Sequence, residues 1–372
     1  HFHPETLQLD RHFLAQLAGA QQQYAGGLWR QGGANSGHGQ SSITGIAILK
    51  AADAASALGY AILAPMPRFF ALRRALPLTC LATLLVCIAA CSAPSLPFAR
   101  LAGLITNREL DEISGLAASH VHDDVLWVHN DSGNPARLYA ISTRGRLLAR
   151  FDVVGAKNID WEDIASFNLN GKHYLLLADT GDNGGQRRDF ALHVIEEPAQ
   201  LTSGFVRPAW SIRAHWPDGP RDCEAVAVDA ATGQVLLISK KRFPPELFSL
   251  PLTNPHGQVQ EARRIGRLEG VPQVSAAMRD KDPKLAALFS QVTAADMSPD
   301  RKTLAVLTYG SVLFYRRQEG ETWADAVSHP PETHDVPWIP QAEALGWSAG
   351  GAGLYASGES RPAPLYYLVP QQ

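Results

Sequence analysis

The 372-residue chain has only 3 Met and 4 Cys, and neither sign of charge is in large excess. Its 33 Lys and Arg stand against 36 Asp and Glu, a net charge of -3, so it has no global positive field to hold nucleic acid. At 45% hydrophobic and 19% charged residues, the composition excludes a disordered chain and a polytopic membrane protein. This composition and this balance of charge predict a globular protein with no nucleic-acid partner.

The chain has one long apolar run, from Ala75 to Ala90, and a basic segment that starts at Met66 precedes it. A basic region followed by a short apolar region is typical of a secretory signal. The end of this run, Ile88-Ala89-Ala90-Cys91, resembles the lipobox of bacterial lipoproteins. That resemblance implies that Cys91 is lipidated and, with Ser92 next, that the protein is anchored in the outer membrane, facing the periplasm or the exterior. A buried helix with an incidental cysteine is the alternative.

The position of this signal divides the chain. An export signal is read near the start of a protein, so we interpret residues 1–65 as a spurious or unstructured segment from a mistaken start site. Residues 66–90 are then the signal peptide, 91–96 the linker to the lipid anchor, and 97–372 the folded domain. The mature chain would keep one further cysteine, Cys223, and form no internal disulfide.

From Leu96 onward, short runs of Val, Leu, Ile, Tyr and Phe alternate with turn residues, which predicts an all-β fold. Five segments share one opening, and four of them open with Glu. The opening residues are Glu112, Glu162, Glu224, Thr293 and Glu343. A polar turn and a second strand follow each opening, and each second strand ends near a hydroxyl residue: Ser132, Thr180, Ser239, Thr308 and Ser357. A strand meander repeated in this way predicts a β-propeller.

We expect five blades, because the last segment stops after its third strand and Phe98 to Ile105 can supply the missing outer strand. The segment from Val274 to Gln291 has the pattern of a helical insertion rather than of a blade. Six blades is the alternative.

The motifs Trp127-Val128-His129-Asn130-Asp131-Ser132-Gly133 and Asp179-Thr180-Gly181-Asp182-Asn183 resemble those of a mostly uncharacterised family of bacterial secreted or lipoprotein propellers, TolB-like or NHL-like. The resemblance covers nearly all of 97–372. More distantly, the chain looks like the phytase-like esterases and the gluconolactonase and strictosidine synthase propellers. The near relatives imply a fold, and the gluconolactonase likeness implies a metal on the propeller axis.

The two first strands of a blade are antiparallel, so each opening residue lies on the same face of the disc as the loop after its hydroxyl residue. We therefore expect an acidic mouth at one end of the central channel. The candidate ligand-binding residues there are Asp131, Asp163, Asp179, Asp182, Lys240, Arg242, Glu343 and Glu359. The candidate metal ligands are Glu112, Glu162, Glu224 and Asp179, and the same three glutamates are the candidate catalytic residues.

Two unit charges about 8 Å apart repel by roughly 2 kcal/mol at an effective dielectric near 20, so four ionised glutamates need compensation. A calcium ion would supply it, because Ca²⁺ prefers carboxylate and carbonyl oxygens. Ion pairs would serve equally well, with basic residues drawn from Arg137, Arg187, Arg188, Lys240, Lys241, Arg242 and Arg361. Both alternatives stay open at this point.

Two functions compete. The first is an envelope-anchored binding module for a periplasmic protein, peptide, glycan or small molecule, with membrane contact only through the lipid. The second is a calcium-dependent hydrolase, a lactonase or phosphoesterase, with one of the three glutamates as general base. The sequence lacks a decisive catalytic pair, which favours binding. The segment Gly346-Trp347-Ser348-Ala349-Gly350 matches the nucleophile-elbow pattern, but it falls in a β-hairpin on the opposite face, so we reject that reading.

Overall fold

The computed structural model describes residues 98–253 and 257–370. Within these ranges the chain forms five β-sheets of four or five strands and three short helices. The predicted signal peptide, the linker, Cys91 and residues 1–65 lie outside the described residues. None of the described helices is long and apolar enough to cross a membrane.

Each sheet is one blade, and its strands follow one another from the centre outward. The innermost strands of blades 1 to 5 are β2 (Ile113–Ala118), β6 (Trp161–Leu169), β11 (Cys223–Asp229), β16 (Val292–Met297) and β20 (Ala342–Trp347). The second strands are β3 (Val125–Asn130), β7 (Lys172–Asp179), β12 (Gln234–Ser239), β17 (Thr303–Thr308) and β21 (Leu354–Gly358). The third strands are β4 (Arg137–Ser142), β8 (Phe190–Glu196), β13 (Glu246–Pro251), β18 (Ser311–Arg316) and β22 (Ala363–Leu368).

The outer strands complete the blades. They are β5 (Leu147–Val153), β10 (Trp210–His215), β15 (Arg263–Arg267), β19 (Glu332–Asp335) and, in blade 5, β1 (Ala99–Ile105). Two short strands, β9 (Gly204–Val206) and β14 (Gln260–Glu261), add parallel edges to blades 1 and 2. The helices are α1 (Ala276–Lys281), α2 (Pro283–Phe289) and α3 (Trp323–Ala326).

The ring has five blades and is closed by the N-terminal strand, as predicted. Each innermost strand contacts that of the next blade, and β20 contacts β2 in turn. Strand β1 pairs antiparallel with β22, with Ala99 opposite Leu368 and Ile105 opposite Ala363. The insertion between β15 and β16 contains α1 and α2, so the helical prediction for this segment is confirmed and the six-blade alternative is wrong.

Apolar residues fill the space between adjacent blades, with one buried cluster at each of the five interfaces. The cluster between blades 1 and 2 contains Trp127 and Trp161, and the one between blades 2 and 3 contains Phe190, Trp216 and Phe248. The other three lie between blades 3 and 4, 4 and 5, and 5 and 1. Because both faces of a blade are covered, the innermost strands are apolar and buried rather than alternating.

The centre of the ring is tightly packed. A Cβ atom added at Gly346 of β20 would lie 2.5 Å from the carbonyl oxygen of Leu116 in β2, so only glycine fits between these strands. Asp163 in β6 is fully buried, and its Oδ2 accepts hydrogen bonds from the backbone of Val226 (2.8 Å) and Ala295 (3.2 Å). One carboxylate thus ties blade 2 to blades 3 and 4 across the axis.

Candidate functional site

The first hairpin of every blade contains a β-bulge at the same place. The innermost strand there has one residue more than its partner, and the five extra residues are Ser114, Glu162, Glu224, Thr293 and Glu343. A β-bulge changes the direction of the extra residue's side chain. This residue therefore does not follow the regular alternation of side chains between the two faces of the strand. The sequence alignment that put Glu112 in line with Glu162 was therefore wrong by two residues, because Ser114 takes that position in blade 1.

The two hydroxyl residues of this set bind the neighbouring blade. Ser114 Oγ donates to the carbonyl oxygen of Glu162 (3.0 Å), and Thr293 Oγ1 donates to that of Ala342 (2.6 Å). The three glutamates are instead buried at the axis, where Glu162, Glu224 and Glu343 are 2%, 3% and 4% exposed. The repeat therefore brings together three of the four opening glutamates, whereas the sequence predicted all four, Glu112 included.

A second polar set lies two residues before the first, at the strand starts. It consists of Glu112, Asp160, Asp222, Gln291 and Gln341. Sequence reasoning missed Asp160 and Asp222, although the pattern Asp-x-Glu at 160–162 and 222–224 was a readable signal. Carboxylate oxygens of Asp131, Asp160 and Glu162 lie within 4.8 Å of one another, as do those of Glu162, Asp222 and Glu224. Glu162 belongs to both clusters and joins them.

One lysine compensates part of this charge. The Nζ atom of Lys240, a residue that is only 8% exposed, contacts Glu224 Oε1 and lies 3.3 Å from Glu343 Oε1. The Tyr309 hydroxyl also donates to Glu343 Oε1. Burial acts to raise the pKa of Glu343, but the charge of Lys240 and the hydrogen bonds to this carboxylate outweigh it, so this pKa is lowered.

Two buried carboxylate oxygens of the clusters have neither a hydrogen-bond donor nor an ion-pair partner among the described residues. Glu162 Oε2 accepts from Ser114 Oγ (3.1 Å), but Glu162 Oε1 accepts no hydrogen bond from any residue that the structure describes. The same holds within those ranges for Glu224 Oε2, although its other oxygen contacts Lys240. A buried carboxylate oxygen without a donor costs free energy. Lys240 therefore compensates only part of the negative charge of the buried glutamates.

Glycine at position 181 leaves room for this cluster. A Cβ atom there would lie 2.0 Å from Glu162 Oε1 and 2.5 Å from Asp160 Oδ2. The backbone of the β7–β8 loop thus lies directly against the unpaired oxygen, so any larger residue would displace the carboxylates.

Other predicted site residues have partners around this centre. Asp179 Oδ1 lies 2.9 Å from Arg187 Nη2, and Glu112 Oε2 accepts from Asn134 (2.6 Å), so neither belongs to the two clusters. Asp182 accepts from the backbone of Gln186 (2.8 Å) and shapes its own loop. The Glu359 carboxylate contacts the side-chain amide of Gln341. Asp163 lies deeper in the channel, and Arg242 is exposed to solvent. Among the missed residues, Asp222 Oδ2 lies 2.8 Å from Lys241 Nζ.

Crowding of buried acids disturbs their titration. Burial, together with the charge of Glu224, raises the pKa of Glu162 well above its usual range. Burial also raises the pKa of Glu224, although Lys240 opposes this change. Burial raises the pKa of Asp131 to about 7, and that of Asp160 moves in the same direction for the same main reason. The site therefore favours the protonated acids or a bound positive charge.

No protein-family model matches this chain, and no curated protein matches it. Among solved structures, the crystal structure of Chaetomium thermophilum Raptor is similar to 73% of this chain at 12% identity, with a TM-score of 0.39. The match covers 29% of that chain, so this protein spans less than a third of its length. The likeness assigns no function, and the resemblance to TolB-like and NHL-like propellers stays a prediction.

Proposed function

We propose that this propeller is a binding module that holds a divalent cation, calcium by its ligand chemistry, among the axial carboxylates. The observation that carries the proposal is the pair of unpaired oxygens, Glu162 Oε1 and Glu224 Oε2, both buried and both in clusters of converging acids. Carboxylate oxygens are hard ligands of the kind that Ca²⁺ takes in groups of six to eight, with backbone oxygens and water completing the set.

The residues fit such an ion in two ways. Glu162, Asp160 and Asp131 form one group of oxygen ligands, and Glu162, Asp222 and Glu224 form the other. Glycine at position 181 lets the β7–β8 loop approach Glu162 and Asp160 without displacing their carboxylates. A divalent charge here would favour the ionised acids, whose pKa values burial otherwise raises, so ion binding and stability are linked.

The rim of this end suits a larger ligand. Ile159, just before Asp160, is 57% exposed, and Phe243, in the loop after β12, is 59% exposed. Exposed apolar residues beside a polar pocket are typical of binding surfaces. We place the ligand, a periplasmic protein, peptide, glycan or small molecule, at this end of the axis. The lipidated Cys91 would anchor the module to the outer membrane.

The ion is tested by thermal unfolding in EDTA and in 5 mM CaCl₂. At a calcium concentration of 100 times Kd, binding to the native state alone adds about 2.7 kcal/mol, so the midpoint should rise by several degrees. Glu162→Gln should abolish this rise, because it removes a carboxylate ligand of the ion. It should not lower the midpoint in EDTA, because the buried charge that it removes has one oxygen without a hydrogen-bond donor among the described residues. Glu319→Gln, which changes an exposed turn, is the matched control and should respond like wild type. A wild-type midpoint that calcium leaves unchanged would refute the ion.

The hydrolase stays a second candidate because Asp131, beside Glu162, has a pKa of about 7, near the value that suits a general base. In that case Asp131→Asn should abolish the hydrolysis of a lactone or phosphomonoester in calcium. Equal turnover by wild type and Asp131→Asn would leave binding as the function.

A further inference from the structure

A cavity lies at the end of the ring opposite the acidic clusters. The acidic clusters lie where the innermost strands start, whereas a cavity of ≈ 200 Å³ lies where they end. All five blades contribute to its wall. The polar residues that bear on its chemistry are His120, Ser166, Asn168, Asp296, Arg301 and Trp347.

A directed chain of hydrogen bonds ends at this cavity. His173 Nδ1 contacts Asn168 Oδ1, an acceptor, so Asn168 Nδ2 is left to donate to His120 Nδ1 (3.5 Å). Burial lowers the pKa of His120, which keeps its ring neutral, so its one hydrogen is on Nε2 and is donated to Ser166 Oγ (3.1 Å). Ser166 accepts this bond and keeps its own O–H free to donate.

One cation of the wall has no ion-pair partner within the described ranges. Arg301 follows β16 in an exposed turn, and no described carboxylate lies within ion-pair distance of its guanidinium. The cavity therefore offers a hydroxyl and a guanidinium.

The carboxylate of the wall already accepts one hydrogen bond at each oxygen. Asp296 is the one carboxylate among the described lining residues, and it is 3% exposed. Its Oδ1 accepts from the backbone of Met297 (2.8 Å), and its Oδ2 accepts from that of Trp347 (2.7 Å). A ligand that brought its own donors would find little to bind here, whereas one with oxygen acceptors would satisfy the free N–H and O–H groups.

We propose that this cavity binds a small organic carboxylate. The guanidinium fork of Arg301 matches the two oxygens of a carboxylate, and Ser166 supplies a further donor. Arg301 is the one cation of the described lining, and a single negative charge matches it, which favours a monoanion over a doubly charged phosphate. The volume is below the 300–1,000 Å³ usual for sites of drug-sized ligands, so the ligand is a small one.

The test uses calorimetric titration of the protein, in EDTA, with acetate, propanoate, butanoate and benzoate, each against its own amide. We expect at least one carboxylate to bind at a single saturable site and its amide to bind at least tenfold more weakly. Arg301→Gln should weaken binding about tenfold or more, as expected for a charge-assisted hydrogen-bond pair. Lys302→Gln removes the same charge one residue further along, outside the described lining, and should bind like wild type.

Two results would overturn the proposal. One is that none of the four carboxylates binds better than its amide, and the other is that Arg301→Gln binds as tightly as Lys302→Gln. Ser166→Ala removes the hydroxyl donor, so a folded Ser166→Ala protein should also bind more weakly. Glu162→Gln should leave carboxylate binding unchanged, so this test fails or succeeds independently of the proposed calcium site.

Discussion

Lys240 Nζ lies 3.3 Å from Glu343 Oε1, so an ion pair joins blade 3 to blade 5, which are not neighbours in the ring. Glu224, in the same blade as the lysine, shares this contact. A single cation thus spans the axis between two acids that would otherwise repel. The arrangement makes the centre of the ring, and not only its five apolar interfaces, important for stability.

We predict that Lys240→Met lowers the free energy of unfolding in EDTA by about 3–5 kcal/mol, because it leaves two buried acids without their cation. Urea unfolding measures this change. Lys172→Met is the matched control, since Lys172 forms an exposed pair with Glu196 (2.7 Å) and should contribute little. Equal losses of unfolding free energy in Lys240→Met and Lys172→Met would show that the axial ion pair contributes no more to stability than an exposed one.

The blade pattern could be predicted from the sequence because its signals are local. The hairpin turns, the apolar strands and the short final segment together predicted five blades and their closure by β1. The helical insertion was equally local, since Ala276 to Lys281 and Pro283 to Phe289 lack the alternation of strands.

The register at the axis could not be predicted in the same way. A β-bulge adds one residue without changing composition, so the sequence aligned Glu112 with Glu162 where the structure aligns Ser114. The role of Asp163 was also hidden, because its partners Val226 and Ala295 are distant in the chain and offer only backbone N–H groups. Such contacts are fixed by the closure of the ring.

Gly181→Ala should disrupt the acidic clusters without unfolding the protein. The added methyl group would lie 2.0 Å from Glu162 Oε1, so the carboxylate must move and the calcium-dependent rise in melting midpoint should be lost. Gly184→Ala is the control from the same loop, since its nearest neighbour would be 3.7 Å away, an ordinary contact. An unchanged calcium response in Gly181→Ala would place the ion elsewhere.

The lipid anchor is tested in a bacterial host that expresses the chain from Met66. Palmitate should label the wild-type protein, which should fractionate with the membranes, whereas Cys91→Ser should be unlabelled and released. Cys223→Ser is the control, because Cys223 is buried in β11 and its substitution leaves the predicted lipobox intact. Label on Cys91→Ser, or none on wild type, would contradict the anchor.

The last prediction concerns pH and a carboxyl far from the acidic clusters. Burial raises the pKa of Asp296 to about 7 in the folded protein, from an ordinary value of 3.8. Between these values the folded state holds a proton that the unfolded state releases, so the contribution to stability is complete below about pH 4 and is lost as pH rises through 7.

Asp296→Asn removes this titration, so its free energy of unfolding should fall less steeply between pH 4 and pH 7 than that of wild type. One proton changes the slope by at most about 1.4 kcal/mol per pH unit. The amide cannot accept both backbone N–H groups, so the variant is also less stable at every pH, but a constant loss does not alter the slope. Urea unfolding in EDTA at four pH values separates the two effects. Parallel curves for wild type and Asp296→Asn would show that this carboxyl does not titrate in the range, and Glu319→Gln supplies the slope expected for an exposed acid.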